Sequence, residues 1–521
     1  MRSIPLPRRV AARALSRLSP IALACGLMQA APAHAQDKLS IDPDARNGGD
    51  SLRVLDARVR IGGERVHLPG GERMGLVGLT ELLNVGGEWW VGPGVYGAAT
   101  GRRGGLFVPG VEGAWSHPFN DWLALDAGLF AGGGGGGAAP VGGGLMLRPH
   151  ADLVLRFPGF YTGPTFSKVW FTSGQINSNQ VGWMLNFDSS FRYRPADFHG
   201  TDTDGSATGL GFDHVDAMVT VDHPRHSTNT SGAPMTQRIG LVGLRAERSI
   251  EGPLWAGIEA AGAGSGGVAG YAEVLGTAGL RFPVVGDRLS LGVRGSMGLG
   301  GGGAIDTGGG LLLKSAAGGT LHVTDTLGIG AEVGLVDAPR GHYKAETAAV
   351  SLNWALDVPQ HDLGDWFNTR PGAPTRMEFG AGVERYRAAR KDGHTEALEA
   401  VVLQINRFVT PNVYLTGQAH SAFAGGAGAY SVGLFGVGAQ LPVTQRLRLG
   451  VEALGGAAGG GGVDTQGGAV LQARAYADLA LTDSLSLRVA GGKIKSVHGG
   501  LDAPVVDAAL VFSFGVDHSK R

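Results

Sequence analysis

Beyond Cys25 the sequence has no cysteine. That residue lies in the N-terminal leader, so the rest of the chain can form neither a disulfide framework nor a thiolate site. An excess of one charge is missing too, with 44 Lys+Arg against 45 Asp+Glu. The first 35 residues hold five arginines (Arg2, Arg8, Arg9, Arg13, Arg17) and no acid, so a chain starting at Gln36 keeps 39 bases against 45 acids, a net charge of −6. Nucleic-acid binding needs a dense basic face, which this balance does not supply. After residue 35 no run of 18 apolar residues exists, which excludes a membrane helix. Aromatics make up only 7%, and six of the nine tryptophans (Trp89, Trp90, Trp115, Trp122, Trp170, Trp183) precede residue 193, so aromatic belts are thin elsewhere.

Glycine, by contrast, is abundant: 92 residues, about 18% against an average of roughly 7%. It has no Gly-X-Y period, which excludes collagen, and 43% hydrophobic residues exclude a disordered polymer. Residues 1–35 read as a secretory signal, with an arginine-bearing start, a short apolar stretch (21–28) and the cleavage pattern Ala33-His34-Ala35. Residues 36–49 form a short N-terminal segment.

Internal repetition is the strongest signal. Three glycine-rich segments share a layout, GGGGAAPVGGGL (134–145), GGGGAIDTGGGL (300–311) and GGGGVDTQGGAV (459–470), with starts 166 and 159 residues apart. Pro118, Pro283 and Pro442, in HPFNDWLAL, FPVVGDRLSL and LPVTQRLRL, precede them at spacings of 165 and 159. MGLVGL (74–79), IGLVGL (239–244) and EAVVLQ (399–404) come earlier still. The chain is therefore a triplicated unit spanning 50–193, 209–356 and 375–515, joined by polar, turn-rich linkers at 194–208 and 357–374 and ending in a tail, 516–521.

Within a unit the hydrophobic period is two. In 289–299, Leu289, Leu291, Val293, Met297 and Leu299 share one face, and Ser290, Gly292, Arg294, Ser296 and Gly298 the other. In 145–157 Arg148, His150, Asp152 and Arg156 fall on the face opposite Leu145, Leu147, Leu153 and Leu155. Such alternation over ten or more residues predicts strands longer than the soluble average. The first unit divides into eight, near 52–61, 73–84, 88–98, 105–116, 121–132, 143–157, 160–172 and 179–193.

A strand crossing hydrocarbon needs about 9–11 residues, one apolar face and a closed sheet. The turn-and-strand phrase FPVVGDRLSLGV (282–293) and the last strand, Asp507 to Phe514, resemble those of bacterial outer-membrane β-barrel proteins of the small porin-like kind. This resemblance of pattern implies an all-β antiparallel transmembrane barrel in the outer membrane of a Gram-negative cell. It implies lipopolysaccharide and phospholipid as surroundings, the barrel-assembly machinery as partner during insertion, and Phe512 and Phe514 as the insertion signal. A structural or pore and transport role follows, with no cofactor and no catalysis. A soluble exported β-sandwich with a surface or adhesive role and a lipid-modifying enzyme are the alternatives.

Three tandem eight-stranded barrels are preferred to one barrel of 24 strands. Eight strands enclose an interior just filled by side chains, whereas 24 would need a plug that the short 36–50 stretch cannot supply. Charges in a filled lumen must be paired. Asp126 and Arg148 lie 22 residues apart about the first glycine loop, and Glu452 and Arg474 lie 22 apart about the third. Hairpins symmetric about residues 137 and 463 would set each acid facing its arginine. In the second unit Arg294 and Lys314 take these places, with Glu332 as the counter-charge. The expected lumen-facing set is Asp126, Arg148, His150, Asp152, Arg156, Arg294, Lys314, Glu452 and Arg474.

Catalytic and metal motifs are weak. Ile305-Asp306-Thr307-Gly308 matches an aspartic-protease string, but it sits between glycine runs and does not recur, so it reads as a loop. The glycine runs lack the GK[ST] ending of a phosphate loop and read as close-packing turns at the barrel rim. His214, Asp216, Asp222, His223 and His226 form the densest histidine-carboxylate stretch, read as a solvated hairpin rather than a metal site. His420-Ser421 and His226-Ser227 are the adjacent pairs that a lipid-modifying site could use.

Overall fold

The computed structural model describes residues 53–196, 212–286, 288–324, 326–356 and 375–516. The leader, the 36–49 segment, linker residues 197–208 and 357–374 and the tail from 517 lie outside them. Period-two alternation becomes strand wherever it was read, and three separately closed antiparallel barrels result.

The first barrel comprises β1 (Arg53–His67), β2 (Arg73–Gly86), β3 (Trp89–Thr100), β4 (Phe107–Pro118), β5 (Leu123–Gly133), β6 (Leu145–Phe157), β7 (Phe160–Phe171) and β8 (Asn177–Tyr193). It closes where β1 pairs β8, with Ile61 opposite Leu185. The second barrel begins at β9 (His214–Pro224), and a small hairpin of β10 (Ser227–Thr228) and β11 (Pro234–Met235) sits in the loop that follows. It continues through β12 (Ile239–Glu251), β13 (Leu254–Ser265), β14 (Ala272–Val285), β15 (Leu289–Gly301), β16 (Leu311–His322), β17 (Leu327–Asp337) and β18 (Lys344–Ala355). Val219 of β9 faces Val350 of β18 at its seam. The third barrel runs β19 (Thr375–Ala389), β20 (Thr395–Phe408), β21 (Val413–Ala424), β22 (Ser431–Pro442), β23 (Leu447–Gly459), β24 (Ala469–Ala480), β25 (Leu485–Ser496) and β26 (Asp502–Val516), with Val383 opposite Ala508 at closure. First and last strands of each unit satisfy one another's backbone groups, so no edge is left to join a larger barrel.

One strand outruns its expected end. The first strand, expected near 52–61, continues to His67. Gly62 stays in register with Gly78 on one side and Met184 on the other, so the neighbours carry the strand through.

All strand ends fall into two sets. At the end holding both termini of each barrel, connections take two to four residues; at the other they take five to fourteen and include the glycine segments. These are called here the short-turn end and the loop end. Outward side chains are apolar and exposed, as with Val293 (54%) and Met297 (62%) on β15 and Val451 and Val489 on β23 and β25.

The interiors have two layers. Toward the loop end each lumen is filled by apolar side chains: Leu76, Tyr96, Val108, Phe130, Met146 and Phe171 in the first barrel, with matching clusters around Tyr271, Leu275 and Leu312 and around Leu398, Tyr430 and Ile494 in the others. Below this lies a layer of paired charges.

The barrels also pack on one another in a cycle. The β5–β6 glycine loop of the first docks on the β21–β22 loop of the third, where the Gly428 N–H donates to the Gly142 carbonyl at 3.1 Å. The β23–β24 loop of the third docks on the β13–β14 loop of the second, so closely that a Cβ added at Gly459 would fall on the Gly270 backbone nitrogen. The β15–β16 loop of the second docks on the β3–β4 loop of the first, with the Gly104 N–H donating to the Gly308 carbonyl at 3.0 Å. In every case the fifth-to-sixth-strand loop of one copy meets the third-to-fourth-strand loop of the next. Head-to-tail contacts of this kind close into a ring when the rotation allows, and here three copies close it. Toward the short-turn end, Phe191 and Tyr193 of β8 pack on Met377 of β19 and Phe514 of β26.

Candidate functional site

The lumens hold most of the charged chemistry. In the first barrel, strand alternation turns Arg58 and Arg60 of β1, Glu112 of β4, Asp126 of β5 and Arg148, His150 and Asp152 of β6 inward, and all are buried. Arg60 donates to Glu112 and to Asp126, both at 2.7 Å, and Arg58 donates to Asp126 at 3.0 Å. Arg148 makes two parallel 2.9 Å bonds to Glu64, the fork geometry that makes guanidinium–carboxylate pairs strong. His150 Nδ1 lies 3.1 Å from Asp152. Arg156 sits at the short-turn mouth, its guanidinium 5.6 Å from the Tyr161 ring centroid, while Arg58 lies 4.5 Å over Trp90.

The facing of Asp126 and Arg148 expected from the sequence does not occur. The hairpin is centred two residues later, which sets Asp126 opposite Asp152 and Arg148 opposite Phe130. Asp126 is satisfied by the two β1 arginines instead, and Arg148 by Glu64 across the lumen. About the third glycine loop the register does set Glu452 opposite Arg474, joined at 2.6 Å. Arg474 reaches Asp507 (2.9 Å) and Gln404 (2.8 Å) as well, and fully buried Arg488 ties Asp478 to Glu378. In the second barrel Arg294 meets Glu332 at 2.8 Å and Glu259 at 2.9 Å, and Lys314 lies between Glu259 and Glu273. Arg245 joins Asp216, Glu247 and Glu332, a hub the sequence reading missed. A half-open cavity of about 50 Å³ lies beside Arg245, Trp255 and Arg281.

Together these features are a sheet closed on itself, an outward apolar face on strands of 11–17 residues, and polar side chains confined to the interior, the three requirements for crossing hydrocarbon with strands. The chain is an all-β protein of three closed eight-stranded antiparallel barrels. No protein family and no curated relative matches it. Among solved structures it is similar to the outer membrane channel DcaP of Acinetobacter baumannii, at 11% identity over 89% of this chain and 97% of that one, TM-score 0.18. OpdQ of Pseudomonas aeruginosa matches at 10% identity over 89% and 98%, TM-score 0.21, and the siderophore receptor PirA of A. baumannii at 9% over 89% and 80%, TM-score 0.27. A de novo designed transmembrane β-barrel is covered completely by 29% of this chain, at 12% identity and TM-score 0.19.

The remaining motifs of this barrel protein resolve into structure. His214 and His226 stand at opposite ends of β9, while Asp216 binds Arg245 and Asp222 accepts from the Tyr343 hydroxyl at 2.6 Å. Among the described residues no group of three or more His, Cys, Asp or Glu is placed to hold a metal. Asp306 lies in the docking loop, bonded to His342 at 2.6 Å. His420 points into the lumen toward Glu384 (3.0 Å), whereas Ser421 points outward to Ser431 (2.9 Å), so the two face opposite sides of the sheet. Phe512 and Phe514 face outward on β26, and Phe514 packs on Phe191 of the first barrel.

Proposed function

We propose that this chain is a structural protein of the Gram-negative outer membrane: a single-chain trimer of sealed barrels that reinforces the membrane without conducting solutes. The observation that carries the reading is the double closure of each lumen, by an apolar layer at the loop end and a salt-bridged layer beneath it. Water and ions crossing such an interior would have to displace packed apolar groups and break paired charges together. Outer-membrane barrels keep short turns inside and longer loops outside, which sets the glycine loops toward the exterior and both termini toward the periplasm. Lipopolysaccharide and phospholipid then surround the apolar faces, and β26, with Phe512 and Phe514, is the strand presented to the assembly machinery.

Reconstitution into a planar bilayer tests the reading. The expected result is heat-modifiable protein, inserted and protease-resistant, with no steady single-channel conductance. A stable conductance of porin size would overturn it in favour of a transport role.

A further inference from the structure

Strand alternation places Arg65 and His67 of β1, Arg73 of β2 and Lys168 of β7 on the outside of the first barrel, because Glu64, Val66, Met74, Ser167 and Val169 between them are buried inside. All four lie near the loop end. His67 pairs with Arg73, Lys168 pairs with Asn179 of β8, and the His67 N–H donates to Ser178 on that same strand, so the side chains form one band across four adjacent strands. They line a shallow, open groove of about 1280 Å³. Its lower wall is apolar, with Phe166 and Trp183 each 56% exposed. Glu64, the one acid along it, points into the lumen and is held by Arg148. At Thr100 the groove borders the β15–β16 loop of the second barrel, where a Cβ added at Gly309 would fall on the Thr100 backbone.

Cations recur at this height in the other copies, and four of them are neutralised on the same outer face, whereas Arg387 and Lys495 of the third barrel are exposed without an acid partner among the described residues. Arg225 pairs with Glu346 at 2.7 Å and Lys344 with Asp337 at 3.5 Å in the second barrel. In the third, Lys493 pairs with Asp502 at 2.7 Å and Arg385 with Glu399 at 3.7 Å. Among the described residues Arg65, Arg73 and Lys168 of the first barrel have no acid partner. A cluster of three permanent charges at the edge of an apolar band calls for an external anion joined to hydrocarbon.

We propose that this groove binds the phosphate-bearing headgroup of an outer-leaflet glycolipid, with Arg65, Arg73 and Lys168 on the phosphates and the acyl chains along Phe166 and Trp183. The proposal rests on the outer-membrane reading above and adds to it a specific site on one copy of three.

Full-length protein in zwitterionic detergent, titrated with diphosphoryl lipid A and followed by native mass spectrometry, tests it. The same glycolipid without phosphates and inorganic phosphate serve as comparison probes. Arg65→Gln/Arg73→Gln/Lys168→Gln is expected to weaken diphosphoryl lipid A binding by at least about tenfold. Lys493→Gln/Arg385→Gln, which removes cations already paired, is expected to leave it unchanged. Arg73→Gln alone is expected to give a partial loss, and each variant is compared at wild-type heat-modifiability. Equal binding by the triple variant, equal binding of the dephosphorylated glycolipid, or displacement by equimolar inorganic phosphate would overturn the site. Failure of the wild-type chain to fractionate with outer membranes would sink the location instead, so the two outcomes are distinguishable.

Discussion

Arg474 shows what a charge inside a filled barrel requires. Its guanidinium is spent on Glu452, Asp507 and Gln404, and Glu452 also accepts from Gln404, Gln418 and Tyr414. Removing one partner of a buried pair leaves the other charge without compensation, a loss of about 3–5 kcal/mol. Arg474→Met is therefore expected to lower the unfolding free energy by that order, read from denaturant titration of the folded form in detergent. Adding Glu452→Gln should return part of the loss, because the neutral amide no longer needs a cation. Equal stability of the single and double variants would mean that the pair contributes nothing. The partnership of Glu452 and Arg474 was legible because both stand on one hairpin at symmetric offsets. That of Glu64 and Arg148 was not, since its members lie 84 residues apart and meet across the lumen. The displaced pairing of Asp126 follows from the register: the hairpin is centred at residue 139 and not at 137, so Asp126 meets Asp152.

At the scale of the strand, periodicity assigns two faces but leaves open what each meets. On β25, Val489 is 54% exposed in the middle of the strand. If hydrocarbon covers it, Val489→Arg costs about 2–4 kcal/mol, the range for an arginine near a bilayer midplane. On a water-facing sheet the same change would be nearly neutral. Refolding equilibria in lipid vesicles distinguish the two, and a neutral outcome would favour an exported barrel whose outer face meets water. Strand positions followed well from alternation and turn residues; the apolar interior layer did not. Near the loop end residues such as Leu76 and Val77 are apolar on both faces, one buried inside and one exposed outside. A run apolar on both faces carries no alternation to read. The glycine loops were legible as tight turns, but their role as contacts between copies depends on long-range geometry that no single segment encodes.

For the whole molecule, the loop contacts run from the first copy to the third, from the third to the second, and from the second back to the first, which is not the order along the chain. This can be trapped chemically. A Cβ built at Gly143 would lie 3.2 Å from Cα of Ala424 in the third barrel. Gly143→Cys/Ala424→Cys, made in a Cys25→Ser background, is expected to cross-link on mild oxidation. With a protease site placed in the 194–208 linker, cleavage should then leave the first barrel attached under denaturing, non-reducing conditions and release it on reduction. Release without reduction would show that the copies stand apart in the membrane.

Concatenation alters what mutation can do to such a ring. In an assembly of three identical subunits every substitution appears at three places, so a basic cluster gained on one outer face is gained on all. Here Arg65, Arg73 and Lys168 of the first copy stand without acid partners among the described residues, while Arg225 of the second and Lys493 of the third are paired with acids. The linkers also hold the copies at a fixed ratio and neighbourhood. One covalent thread thus makes the three flanks of the ring distinguishable, with one free to diverge from the other two.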